Sequence, residues 1–121
     1  MTDPRLADYL SHMEQAAAEA IGFIDGMTRE AFLADRRTQQ AVVMSLVIIG
    51  EACTRIMDGH ADFVGSHPEI PWRSMRGMRN RMAHGYFETD FGIVWDTVKA
   101  ELPTLVSHLS AARAALGSND K

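Results

Sequence analysis

Apolar residues recur at intervals of three and four along most of the chain, which is the spacing of one face of an α-helix. Asp3 and Pro4 are a suitable N-cap and first-turn residue for the first such run, and Gly26 is a suitable stop. These signals predict a first helix over about residues 4–24. A short second helix that ends near Leu33 should follow.

The next run has almost no polar face. Asp35 can cap it, and residues 42–57 are apolar nearly all round, which is typical of a helix buried on most sides by neighbouring helices or by another subunit. Glu51 interrupts this run. It either lies on a narrow solvated strip or is a buried partner of an arginine within residues 79–86, because an isolated charge is costly to bury.

The second half of the chain predicts a loop with a short turn over about residues 62–69 and then a helix from Pro71 to Gly85. Thr89 or Asp90 can cap a last helical segment, which should kink or restart at Pro103 because proline lacks an N–H.

These elements predict an all-α fold, a compact bundle of about four to five helices. The length of 121 residues suits one domain, which we place at residues 1–116, and the polar residues 117–121 should form a flexible tail.

Composition narrows the class of protein. Hydrophobic residues make up 46% of the chain and charged residues 23%, which is typical of a soluble globular protein. The net charge of -4 argues against a protein that coats nucleic acid through its overall field. The single cysteine, Cys53, excludes an internal disulfide and favours a reducing cytoplasm. No secretory signal is evident, and the longest apolar run, residues 41–50, is about half a membrane span, so we expect a cytoplasmic protein without a membrane partner.

Chemistry is concentrated in the octapeptide Arg79–Tyr86, which reads R-N-R-x-x-H-x-Y, and residues 70–87 contain no acidic side chain. Arg73, Arg76 and Arg81 add to its positive charge and could bind the phosphates of an RNA. At about 100° per residue, Arg79 falls within the apolar arc of its helix, so its guanidinium needs a partner, a ligand or a subunit boundary.

Cleavage of RNA by the ribose 2′-OH needs a base, an acid and a cation, and this site offers candidates for each. His84 titrates near neutral pH, Arg79 can fork to two phosphate oxygens, and Asn80 could orient either group. One protomer offers one suitable histidine, so two imidazoles would require a two-fold dimer. A metal site at His60 and His67 is disfavoured, because neither lies at ligand spacing from a second ligand.

Five sequence blocks together resemble the HepT-like toxins of the HEPN superfamily, in order and spacing, over roughly residues 5–110. The blocks are Ile48–Ala52, His67–Arg73, Gly77–Arg81, His84–Phe87 and Ile93–Trp95.

This resemblance implies a dimeric helical bundle with an R-x4-H-x-Y ribonuclease site that uses no metal and no cofactor. Arg79 and His84 would be the catalytic pair, and Asn80 the polar residue that follows the arginine. The family's usual partner is a minimal nucleotidyltransferase antitoxin that transfers AMP to the motif tyrosine, here Tyr86. The expected function is therefore an endoribonuclease toxin of a type VII-like toxin–antitoxin pair, with tRNA as one candidate substrate.

Two other functions stay open. The chain could be an inactive HEPN domain that binds a nucleotide or a nucleotidyltransferase. It could also be a plain helical interaction module, which would require Arg79 to be a solvated surface residue.

Overall fold

The computed structural model describes residues 3–119, which are helical almost throughout and contain no β-strand within that range. The all-α prediction is confirmed, with more helices than the four to five expected. In chain order the helices are α1 (Pro4–Phe23), α2 (Arg29–Leu33), α3 (Arg36–Gly59), α4 (Ala61–Ser66), α5 (Trp72–His84), α6 (Phe91–Asp96) and α7 (Leu102–Asn119).

Helix starts follow the polar caps predicted from the sequence. The side chains of Asp3, Thr28 and Asp35 each accept a backbone N–H from the first turn of the helix that follows. Of the two candidates before α6, Asp90 is the cap, since its carboxylate accepts the N–H groups of Gly92 and Ile93. These bonds satisfy donors that a helix N-terminus would otherwise leave unpaired.

The core forms where α3 packs against α1 on one side and α5 on the other, while α7 packs against α1. The side chains buried completely in it include Leu10, Met13, Leu46, Ile56 and Leu109. α3 is therefore the central helix, and the position of α5 depends on it.

One stripe of α3 nevertheless remains exposed in the protomer and runs through Met44, Ile48, Glu51 and Arg55. By length and mean hydropathy α3 could also cross a membrane, but half of its apolar window is buried within the bundle. Neighbouring helices thus bury α3 on most sides, as predicted, and this stripe is the part that stays exposed within the protomer.

One local prediction was wrong and another was confirmed. Part of the segment expected to be a loop forms α4, where Phe63 packs edge-on against the Trp72 ring at a centroid distance of 6.2 Å. The last segment restarts at Pro103, as one of the two predicted outcomes, because a π-helical turn over Thr97–Glu101 separates α6 from α7 and Pro103 is the second residue of α7. The wider turn accommodates a proline that cannot donate the usual hydrogen bond.

α7 also continues beyond the predicted end of the domain at residue 116. Residues 117–119 of the expected flexible tail are helical, and residues 120 and 121 lie outside the described range, as do residues 1 and 2 of the predicted domain.

Candidate functional site

Helix α5 carries most of the predicted site residues, and its buried face orients them. Trp72, Met75 and Met82 are buried against the rest of the bundle, so the helix cannot rotate about its axis without exposing them. The helix ends at Gly85, whose N–H donates to the carbonyl of Arg81 at 2.7 Å.

Gly50 lets α5 approach α3 closely. A Cβ at this position would overlap the Cβ of Arg79 and would lie 2.9 Å from both its Cγ and the carbonyl oxygen of Met75. The absence of a side chain at residue 50 therefore brings the stem of Arg79 against the backbone of α3.

Arg79 lies in this contact between α3 and α5 with 22% of its side chain exposed. Its Nη2 donates to the hydroxyl of Thr54 at 3.2 Å and lies 3.6 Å from Oε1 of Glu51. Its Nε is buried and has no acceptor among the described residues. Arg79 thus interrupts the apolar arc of α5, and α3 compensates its charge in part.

Glu51 is not the buried partner that one reading of the sequence predicted. Half of its side chain is exposed, and its other oxygen accepts from Nε of Arg55 at 3.3 Å. The carboxylate therefore belongs to the exposed stripe of α3 and reaches Arg79 from its edge. An ion pair this exposed contributes little to stability.

The remaining polar residues of α5 lie on one outer face of the helix, because positions 73, 76, 80 and 84 share an arc at about 100° per residue. Arg76 pairs with Asp58 of α3 through a bond of 3.0 Å, while Arg73, Asn80 and Arg81 are exposed. The three arginines predicted to bind RNA phosphates are therefore not equivalent, since the charge of Arg76 is already partly balanced.

His84 is exposed at the C-terminal end of α5 and lies on the wall of a groove of about 870 Å³. The apolar residues that line the groove include Met75, Met78, Met82, Ile93 and Val94. Charged residues of both signs line it as well, namely Glu69, Arg81, Glu88, Asp90, Glu101 and His108.

Arg79 is not among the residues that line this groove. Five positions separate it from His84, which corresponds to about 140° around an α-helix. The two side chains therefore leave α5 from different faces, and one protomer does not bring them together at the groove.

Tyr86 follows α5 in a 3-10 turn over Tyr86–Glu88. Its half-buried ring packs edge-on against Phe91 and Phe87, with centroids 6.2 and 6.1 Å away. The ring of Tyr86 is therefore packed on one side and is not fully exposed at the helix end. Its hydroxyl makes no hydrogen bond within the described part of the chain, whereas Phe87 is 98% exposed beside it.

No group of three or more histidine, cysteine, aspartate or glutamate side chains with metal-binding geometry occurs among residues 3–119. His60 and His67 each face a single carboxylate instead. Nε2 of His60 lies 3.9 Å from Asp3, and Nδ1 of His67 lies 3.0 Å from Glu69. The hydrogen bond from His67 contributes to lowering the pKa of the Glu69 carboxyl, after the bond from that residue's own backbone N–H.

Comparison with known proteins places this motif in a family. The family model for "Ribonuclease HepT-like" proteins matches residues 13–112. A protein of Thermococcus cleftensis named "Probable ribonuclease HepT" is 46% identical over 102 residues, which cover 81% of this chain and 86% of that protein. The chain belongs to the HepT-like ribonuclease family.

Other HepT-like relatives agree with this assignment. A protein of Methanocaldococcus jannaschii named as a "Putative RNase" is 35% identical over 104 residues, or 86% of this chain and 80% of that protein. A protein of Caldanaerobacter subterraneus with the same description is 35% identical over 105 residues, or 87% and 89% of the two chains. No solved structure matches the chain.

The sequence did not predict two features of this HepT-like site. The sequence around Thr54 does not mark it as a site residue, because its contact with Arg79 depends on how α3 and α5 pack. The groove beside His84 is likewise built from residues far apart in sequence. The one available signal was that Thr54 lies four positions after Gly50, and therefore on the same face of α3.

Proposed function

We propose that this protein is an endoribonuclease toxin that cleaves RNA, with tRNA as one candidate, without a metal ion. The proposal is carried by one observation: the R-x4-H-x-Y motif is intact, and α5 holds Arg79 against α3 and exposes His84 at its end. Membership of a ribonuclease family supports it.

In the proposed reaction the ribose 2′-OH attacks the adjacent phosphorus. An imidazole takes the 2′-OH proton as the O2′–P bond forms, and a second imidazole, protonated, donates a proton to the 5′-oxygen as the P–O5′ bond breaks. The products are a 2′,3′-cyclic phosphate and a free 5′-OH. Arg79 would stabilise the charge that develops on the non-bridging oxygens, and Asn80 would orient the imidazole or the phosphate.

A homodimer would supply the second imidazole. Arg79 and His84 leave α5 from different faces of one protomer, so a site that contains both is best completed by a second copy. The groove beside His84 suits such a contact, because apolar residues line it and Ile93 is 63% exposed there. A second copy seated in the groove would bury this surface and bring its own His84 near the first.

Control by a minimal nucleotidyltransferase antitoxin in a type VII-like pair is the second part of the proposal, and both proteins would act in the cytoplasm. Tyr86 would accept AMP on its hydroxyl, which has no hydrogen-bond partner within residues 3–119. The ring packs edge-on against Phe91, which would restrict the position of the modified oxygen. The nucleotide would add bulk and negative charge where an RNA phosphate must bind.

Replacement of His84 by alanine tests the activity. We expect H84A to lose RNA cleavage in the presence of a chelator, and to lose growth inhibition, while it remains folded and dimeric. His12 on α1 is also exposed and offers a matched control, since H12A should cleave like the natural protein. An H84A protein as active as H12A would exclude this mechanism.

A second candidate function is an inactive module that binds a nucleotide or a nucleotidyltransferase. The acidic side chains along the groove favour it, because Glu69, Glu88, Asp90 and Glu101 would repel an RNA backbone there. This alternative predicts that the purified protein leaves all RNA uncut even when Tyr86 is unmodified.

A further inference from the structure

We propose that Thr54 is a positioning residue that holds the guanidinium of Arg79 in the orientation needed to receive a phosphate. This inference rests on the proposed ribonuclease function and concerns a residue of α3, outside the R-x4-H-x-Y motif.

The hydroxyl of Thr54 has a defined direction. It donates to the carbonyl of Gly50 at 2.8 Å and accepts from Nη2 of Arg79 at 3.2 Å. Because its hydrogen is engaged by the backbone, a lone pair is left to face the guanidinium. The contact is partly buried, so water competes with it less than at an open surface.

Glu51 cannot provide the same orientation. Its oxygen lies 3.6 Å from Nη2, beyond hydrogen-bond range, and the carboxylate is half exposed and shared with Arg55. It attracts the charge of Arg79 without fixing the plane of the guanidinium. Without Thr54, no hydrogen bond would fix the plane of the guanidinium, and Arg79 would sample several orientations beside the exposed Glu51.

Of the guanidinium nitrogens, Nη1 stays available to a ligand. Neither Nε nor Nη1 of Arg79 donates to an acceptor within the described residues, and Nε is fully buried. Gly50 and Thr54 lie one turn apart on α3, so the first admits the stem of Arg79 and the second accepts its end. With Nη2 held by Thr54, the free Nη1 would face the ligand in a fixed plane.

The test compares Thr54→Val, which keeps the side-chain shape and removes the acceptor, with Thr54→Ser, which restores it. Ser66→Ala is the control, because Ser66 also donates to the carbonyl four residues earlier and is exposed. RNA cleavage is measured in single turnover at saturating protein, with a phosphate or a phosphorothioate at the cut site, and folding is checked by thermal melting.

We expect T54V to slow cleavage about 10- to 100-fold, as for the loss of a hydrogen bond to a charged group, while T54S and S66A stay close to the natural protein. Replacement of a phosphate oxygen by sulfur should slow cleavage less in T54V than in the natural protein, because a misplaced Arg79 no longer distinguishes oxygen from sulfur. T54V that cleaves as fast as S66A, or a loss that T54S does not restore, would overturn the positioning role.

Nitrogen-detected NMR of the arginine side chains separates this proposal from the ribonuclease proposal. Rotation about the Cζ–Nη bonds of Arg79 should be slow in the natural protein and in T54S, and fast in T54V. If the natural protein cleaves no RNA, the proposed activity fails. The NMR comparison then decides alone whether Thr54 holds Arg79, and equal rotation in all three proteins would refute it.

Discussion

Replacement of Gly50 by alanine should force α5 away from α3. The new methyl group would overlap Cβ of Arg79 and would lie 2.9 Å from the carbonyl oxygen of Met75, which belongs to the backbone and cannot rotate away. Overpacking of this kind costs roughly 1–3 kcal/mol, and a backbone neighbour favours the upper end. Alanine regains about 1 kcal/mol of helix propensity over glycine, so the free energy of unfolding should fall by about 2 kcal/mol.

Thermal unfolding followed by circular dichroism measures this change. For a domain of this size a loss of about 2 kcal/mol lowers the melting temperature by roughly 7 °C. Gly22→Ala is the matched control, since Gly22 is also helical, in α1, and a Cβ there would meet no atom within 4 Å. G22A should gain helix propensity without overpacking and should melt slightly above the natural protein.

The comparison can refute the reasoning directly. If G50A melts at or above the natural protein, as G22A should, then α3 and α5 do not approach as closely as described, and the argument for Arg79 fails with it. If G50A is destabilised as expected, it should also cleave RNA more slowly than G22A, because the same displacement moves Arg79.

Three further predictions concern the groove, the tyrosine and the thiol. Ile93→Glu should weaken the proposed dimer by roughly 100-fold in Kd, because it removes an apolar contact from each subunit. Light scattering after size exclusion would then show monomers. Leu33→Glu, at an exposed apolar position outside the groove, should leave the dimer intact. Tyr86→Phe should still cleave RNA but gain no nucleotide mass when produced with a nucleotidyltransferase, so a mass gain on the variant would place the acceptor elsewhere. Burial raises the pKa of the Cys53 thiol to about 12, so the contribution of the thiol to stability is full below pH 9 and falls as pH rises from 9 toward 12. A thiol reagent at pH 8 should therefore label Cys53 only after denaturation. Rapid labelling of the native protein would contradict this burial.

The fold was predictable where its signals are local. Asp3, Thr28, Asp35 and Asp90 act as caps because each side chain bonds a backbone group two or three positions away, so neighbours in sequence suffice to identify them. Helix α4 was missed because residues 61–66 alone do not indicate that Phe63 packs on the Trp72 ring, a contact that α4 makes in the folded protein.

The candidate site was likewise predictable only where its signals lie within one helix. The arc of α5 alone indicated that Arg79 would need a partner, because helical periodicity fixes which residues share a face. The identity of that partner depends on the register between α3 and α5, which no pattern within one helix specifies. Thr54 was therefore missed, and the two alternatives for Glu51 could not be separated; it lies at an exposed edge and still reaches Arg79.

The close contact at Gly50 has two opposed effects on Arg79. It places the guanidinium beside Thr54 and so restricts its orientation, but it also places it beside Glu51, which reduces the charge available to a phosphate. No rearrangement of side chains within a rigid α5 removes the angle of about 140° between Arg79 and His84. In the proposed enzyme, assembly of two copies is therefore what completes the site, and cleavage should depend on protein concentration near the dimer Kd. A specific rate that stays constant through that range would place both residues in a site within one protomer.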